Sequence, residues 1–170
     1  MERHSAATTV AFSLLTSFSV AACGEAQLAS FRRDREAKLF VSPPPDKVRI
    51  YIYRDQMAGS AVRMEILLDG KWVGATGAYS YVMLTVEPGL HTIVSRAEDD
   101  TELTVHMSGG FIYYIWQEVV PGTLYASSEL HVVDSRTGKE GVRSCDLTRA
   151  RPPRRSPATA SPRPVAESPW

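Results

Sequence analysis

Two cysteines and four histidines are the side chains of this 170-residue chain best suited to covalent or metal chemistry. Cys23 and Cys145 lie far apart, outside any Cys-x-x-Cys pair, so spacing encodes neither a redox dithiol nor a zinc knuckle. Two cysteines are also too few for a disulfide scaffold of this size. His91, His106 and His131 lack His-x-x-x-His spacing, so no metal site is expected unless they converge in space. His91 follows the turn Pro88-Gly89, where an imidazole can tie that turn to a neighbouring strand. His106 and His131 alternate with apolar neighbours, as solvent-facing or hydrogen-bonded strand residues do. Ser108-Gly109-Gly110 lacks the Gly-x-Ser-x-Gly frame of a nucleophile elbow, and no P-loop or dinucleotide fingerprint occurs. Glu98-Asp99-Asp100 lacks the alternating oxygen ligands of a calcium loop. No catalytic residue, cofactor or metal is assigned, and the chain reads as a non-enzyme.

What precedes Cys23 defines its chemistry. Arg3 and His4 give a weakly positive start, residues 5–22 carry no charge, and an apolar core runs from Val10 to Leu15. Small residues then lead to the cysteine. A charged start, apolar middle and small-residue end describe a secretory signal peptide over residues 1–22. Its Ser, Thr and Ala content is too polar for a permanent span, which needs roughly 20 predominantly apolar residues.

Val20-Ala21-Ala22-Cys23 resembles the bacterial lipobox. The resemblance implies cleavage between Ala22 and Cys23 and acylation of the Cys23 thiol; the alternative is an ordinary signal cut after Ala22. In the lipoprotein sorting pattern, an Asp after the cysteine retains a protein in the inner membrane. Gly24 at that place implies the outer membrane, facing the periplasm. An acylated Cys23 leaves Cys145 as a lone thiol, either inert or open to an intermolecular disulfide.

Charge divides the chain. From Arg149 to Trp170 there are five arginines against one acid, Glu167, giving +4; the net charge is zero, so residues 1–148 carry −4. No basic stripe crosses the slightly acidic body, so a nucleic-acid partner is not expected. The last 22 residues hold six prolines and little to bury, which predicts a disordered basic tail over 149–170. Residues 23–45 read as a lipidated tether, with a short amphipathic helix within 26–40 and a stiff spacer at Pro43-Pro44-Pro45.

From Lys47 the hydrophobic pattern has period 2. Val48, Ile50 and Ile52 alternate with Arg49, Tyr51 and Tyr53, predicting a strand with one aliphatic and one aromatic face. A second strand over 62–68 ends at Asp69-Gly70, a two-residue hairpin signal, and Lys71-Trp72-Val73 returns from it. Further strands follow at 81–87, 91–96, 102–107, 111–116 and 127–133, punctuated by Pro88-Gly89, Glu98-Asp99-Asp100, Gly109-Gly110, Pro121-Gly122 and Arg136-Thr137-Gly138. The class is all-β: a small antiparallel β-sandwich of seven or eight strands over residues 46–148.

Tyr51, Tyr53, Tyr113, Tyr114 and Trp116 lie on these strands, and adjacent ones point to opposite faces, so they cannot all be core. Those on the outer face are candidate binding aromatics.

Val48-Arg49-Ile50-Tyr51-Ile52-Tyr53-Arg54, Leu68-Asp69-Gly70-Lys71, Pro88-Gly89-Leu90-His91-Thr92 and Tyr113-Tyr114 before Gln117-Glu118 occur in order. Together they resemble a family of uncharacterised bacterial lipoproteins built on a domain related to PEGA-type β-domains. The likeness covers residues 46–138. It implies an envelope-attached β-domain and supplies no catalytic residues. The expected function is a non-enzymatic envelope lipoprotein that presents an interaction domain to an envelope protein. The alternative is a module binding carbohydrate or peptidoglycan through exposed aromatics.

Overall fold

Val48, Ile50 and Ile52 face one side of their strand and Tyr51 and Tyr53 the other, and both sides are buried. This strand is the centre of the computed structural model, which describes residues 26–149. The expected signal peptide, Cys23 and the expected tail beyond Arg149 lie outside the described residues. In chain order the elements are α1 (Phe31–Ala37), β1 (Val48–Arg54), β2 (Met64–Leu68), β3 (Lys71–Thr76), β4 (Ser80–Val86) and β5 (Gly89–Arg96). They continue with β6 (Asp100–Met107), β7 (Ile112–Pro121), β8 (Ala126–Val133), α2 (Ser135–Arg143) and β9 (Asp146–Leu147).

The strands form a five-stranded sheet, β8-β7-β1-β4-β9, and a four-stranded sheet, β3-β2-β5-β6. The all-β sandwich is therefore what the chain builds. The aliphatic face of β1 joins Ile66, Leu68, Val73, Val82, Ile93, Met107 and Ile115 in the core. The four-stranded sheet is antiparallel throughout. In the larger sheet, β1 runs parallel to β7 and β4 parallel to β9. Among the described residues there are nine strands rather than seven or eight, because the two residues of β9 are too short to show a period. Asp69 and Gly70 both adopt positive φ (50° and 73°), as the two-residue hairpin requires.

Two expectations are corrected. Residues 26–45 are not a tether: Leu28 bridges Thr148, α1 buries Ala37, and Pro43 is buried. The partner of this segment is β9, more than a hundred residues away, so no local pattern reveals the docking. The second correction is α2, where Arg136-Thr137-Gly138 reads as a turn. Glycine disfavours a helix interior by about 1 kcal/mol relative to alanine. Here Gly138 and Gly141 are needed. A Cβ on Gly138 would stand 2.2 Å from Cγ of Tyr114, and one on Gly141 would stand 2.1 Å from Cε2 of Tyr53. Asp134 caps the helix by accepting the backbone N–H groups of Arg136 and Thr137.

The aromatic face of β1 thus lies in a second core. Tyr51, Tyr53, Tyr81 and Tyr114 pack with Ala37, Val142, Cys145 and Leu147 beneath the two helices. The wholly buried Arg54, at the end of β1, donates to the carbonyls of Ala58, Gly59 and Val62 and so holds the loop over residues 55–63. No helix among the described residues is long and apolar enough to cross a membrane, which leaves strand-built spans unaddressed.

Candidate functional site

The five aromatics expected to offer a binding face do not form one. Tyr51, Tyr53 and Tyr114 are buried, so an outer-face platform made of them is corrected: α1 and α2 occupy the surface a ligand would need. Tyr51 stacks on Tyr114 at 5.4 Å between ring centroids and donates its hydroxyl to the carbonyl of Ala37. Burial pushes the phenols of Tyr53 and Tyr114 up to about 12 and raises that of Tyr81 further, so all three stay neutral. Tyr113 is half-buried against the inner core, its hydroxyl accepting the N–H of Ser108.

Trp116 remains half-buried on the outer face, its indole donating to Asp55 at 2.9 Å. Beside it lies a triad the sequence did not signal. Strand register sets Glu118 opposite Glu129 and Trp116 opposite His131. The ligand atoms of Glu118, Glu129 and His131 fall within 4.8 Å of one another. Nε2 of His131 stands 3.0 Å from Glu118 and 3.6 Å from Glu129. Two carboxylates and an imidazole are groups a divalent cation accepts, and the buried Nε2 of His131 makes no hydrogen bond to either carboxylate. The triad alone assigns no metal.

The turn residues form a local network. Asp69 Oδ1 accepts the N–H of Thr92, and Asp69 Oδ2 meets Nδ1 of His91 at 2.8 Å. Nε2 of His91 meets the Glu87 carbonyl, also at 2.8 Å, just before Pro88-Gly89. Both ring nitrogens are thus engaged in joining the Asp69-Gly70 hairpin to the Pro88-Gly89 turn. Burial disfavours the imidazolium, but the Glu87 carbonyl and the Asp69 carboxylate outweigh it, and the pKa of His91 is raised. Cys145 is buried with its thiol against the Arg54 carbonyl, and burial pushes it up to about 12. At neutral pH such a thiol carries almost no thiolate and is a poor nucleophile.

A second arrangement lies at the opposite end of the same sheet face. A cleft of about 340 Å³ opens between α1 and the β4–β9 edge, lined among others by Arg33, Arg49, Arg149, Glu36 and Met83. Glu36 pairs with Arg32. Arg49 donates Nη1 to the Val41 carbonyl, and its buried Nε has no partner. Arg149 donates Nε to the Leu28 carbonyl. Among the described residues none of these three guanidiniums pairs with a carboxylate. Arg33, Arg49 and Arg149 come from α1, β1 and the segment after β9, so spacing gives no hint of them. Chemically the cleft suits an anion, since guanidinium donors match planar or tetrahedral oxyanions.

A family model described as a protein of unknown function, DUF2846, matches residues 44–128, half of the chain. The chain belongs to the DUF2846 family. The DUF2846 match runs from the Pro43–Pro45 segment into β8, taking in both turns joined by His91. It includes Arg49 but leaves α1, α2, β9 and the other two cleft arginines outside. The chain is also 27% identical over 129 residues to an uncharacterised protein of Haemophilus influenzae, an alignment covering 75% of this chain and 77% of that relative. No solved structure matches the chain.

Proposed function

We propose that this DUF2846 protein is a lipoprotein of the bacterial envelope, cleaved after Ala22, acylated on Cys23, and presenting a non-enzymatic β-sandwich to a protein partner. Its kinship with PEGA-type domains and its place in the outer membrane, argued from Gly24, belong to the same reading. The observation that carries it is where the chain enters the fold. Gln27 accepts the N–H of Arg149, and Ala29 donates to the Leu147 carbonyl. Only three residues separate Cys23 from Gln27, so at most about 14 Å of extended backbone would tie the Cα of Cys23 to the domain. A lipid on that sulfur would hold the sandwich against the bilayer.

Other groups support a binding role over catalysis. His91 has both nitrogens engaged in turns, and the Cys145 thiol is buried and protonated. The burial of Tyr51, Tyr53 and Tyr114 favours a protein partner over a glycan. The test is mass spectrometry of the native N-terminus alongside fatty-acid labelling of cells making the protein or Cys23→Ser. Diacylglyceryl on Cys23, and no label in the variant, is expected. A mature chain with an unmodified cysteine overturns the proposal.

A further inference from the structure

We infer that the cleft formed by Arg33, Arg49 and Arg149 binds the phosphate of anionic phospholipid headgroups, so that the α1 edge of the domain lies on the membrane. The inference rests on the lipid-anchor reading for its orientation and adds a second, non-covalent membrane contact.

Three observations converge on this edge. The first is charge: three guanidiniums line one cleft without a carboxylate partner among the described residues, while the acid present, Glu36, is paired with Arg32 outside it. Arg49 is the most telling, because its Nε is buried and makes no hydrogen bond. A desolvated donor left unpaired is costly, and a nearby phosphate lowers that cost electrostatically even without touching Nε.

The second is exposed apolar surface. Leu28, Phe31, Leu39 and Val41 are 50–75% exposed, although they fall within 14 residues of the chain segment beside the cleft. Phe31 and Leu39 share one shallow apolar notch with the stems of Arg32 and Arg35. Large apolar side chains among arginines suit the boundary between headgroups and acyl chains. There the apolar parts leave water and the guanidiniums meet phosphate.

The third is chain geometry. Gln27, four residues after Cys23 in the sequence, lies at this edge, its carbonyl accepting the backbone N–H of Arg149. An acyl anchor on Cys23 would therefore hold the edge where Gln27 meets Arg149 close to the bilayer. A diacylglyceryl group anchors a protein stably by itself, and a basic patch beside it adds an attraction that salt screens and that fixes how the domain lies on the surface.

The test uses the mature chain exported behind an ordinary cleavable signal with Cys23→Ser, so that no acyl group contributes. Sedimentation with phosphatidylcholine vesicles is compared with vesicles in which phosphatidylglycerol replaces part of the lipid. Binding to the anionic vesicles is expected, weakening as salt rises. The triple change Arg33→Gln, Arg49→Gln, Arg149→Gln should reduce it at least tenfold, and Phe31→Ser with Leu39→Ser should reduce it severalfold. Thermal unfolding confirms that each variant is folded. Changing Arg151, Arg154, Arg155 and Arg163 to Gln should leave most of the binding in place. If that tail variant abolishes binding while the cleft variant retains it, the cleft is not the site. If millimolar inorganic phosphate displaces the protein fully at constant ionic strength, the site is for free anions and the lipid assignment falls. Equal binding to neutral vesicles overturns it too. Because no acyl group is present, these outcomes stand apart from acylation of Cys23, which the labelling experiment decides.

Discussion

Asp34 Oδ1 accepts the backbone N–H of Leu147 at 2.9 Å, a bond that closes 113 residues of chain. The same oxygen accepts the Tyr81 hydroxyl at 3.0 Å, and Oδ2 pairs with Lys38 at 2.7 Å. One buried carboxylate on α1 thus joins the first helix to β4 and to the last strand. A seven-residue helix is too short to persist alone, so this cluster and the burial of Ala37 are what hold it.

Replacing Asp34 with Ala should destabilise the protein by about 3 kcal/mol, because a backbone N–H and a tyrosine hydroxyl lose their buried acceptor. Asp34→Asn, which keeps one oxygen, should be milder. Urea unfolding measures both. An unchanged midpoint for Asp34→Ala would mean that α1 is not docked as described.

Gly141 gives a prediction in which two effects have opposite signs. Helix propensity favours Gly141→Ala by about 1 kcal/mol. Steric overlap with the Tyr53 ring opposes it, since overpacking a filled core costs about 1–3 kcal/mol. At 2.1 Å the overlap should win, giving a net loss of stability and a lower melting temperature. Pairing Gly141→Ala with Tyr53→Leu, which removes the obstructing ring edge, should recover part of the loss relative to Tyr53→Leu alone. A more stable single variant would show that α2 does not sit on Tyr53.

The His91–Asp69 pair predicts a pH dependence. His91 has its folded pKa raised above the ordinary 6.5, so its contribution is complete below that value and is lost as pH rises through the raised one. Burial works against the Asp69 carboxylate, but the Thr92 N–H and His91 outweigh it and hold its pKa below 3.8. Its contribution is complete above 3.8 and lost as pH falls through the lowered value. The two windows overlap at mildly acidic pH. The melting-temperature difference between the natural protein and His91→Gln should therefore be largest near about pH 5.5 and smaller by about pH 9. A difference that grows with pH would remove the imidazolium from the account.

Much of the sandwich was legible because its signals are local. The alternation through Val48–Arg54, the Asp69-Gly70 hairpin and the Pro88-Gly89 turn each follow from backbone geometry within a few residues. His91 could be tied to its turn for the same reason. The helices were unequally legible. The mixed charged and apolar stretch before the prolines signalled α1, whereas Gly138 and Gly141 gave α2 the look of a turn. Those glycines answer to Tyr114 and Tyr53, distant rings that no local window contains.

The sequence by itself determined the class of fold, most strand positions and the two turns, because period and positive φ are properties of neighbouring residues. It also carries Val20-Ala21-Ala22-Cys23, the residues on which the proposed acylation rests. Only the tertiary structure decided which aromatic residues are buried, since a strand pattern shows that two faces differ but not what covers each. It alone brought Arg33, Arg49 and Arg149 to one cleft and Glu118, Glu129 and His131 to one face. Such groupings depend on strand order and on the pairing of the segment before α1 with the residues around β9, which are set by packing across the whole domain rather than by adjacent residues.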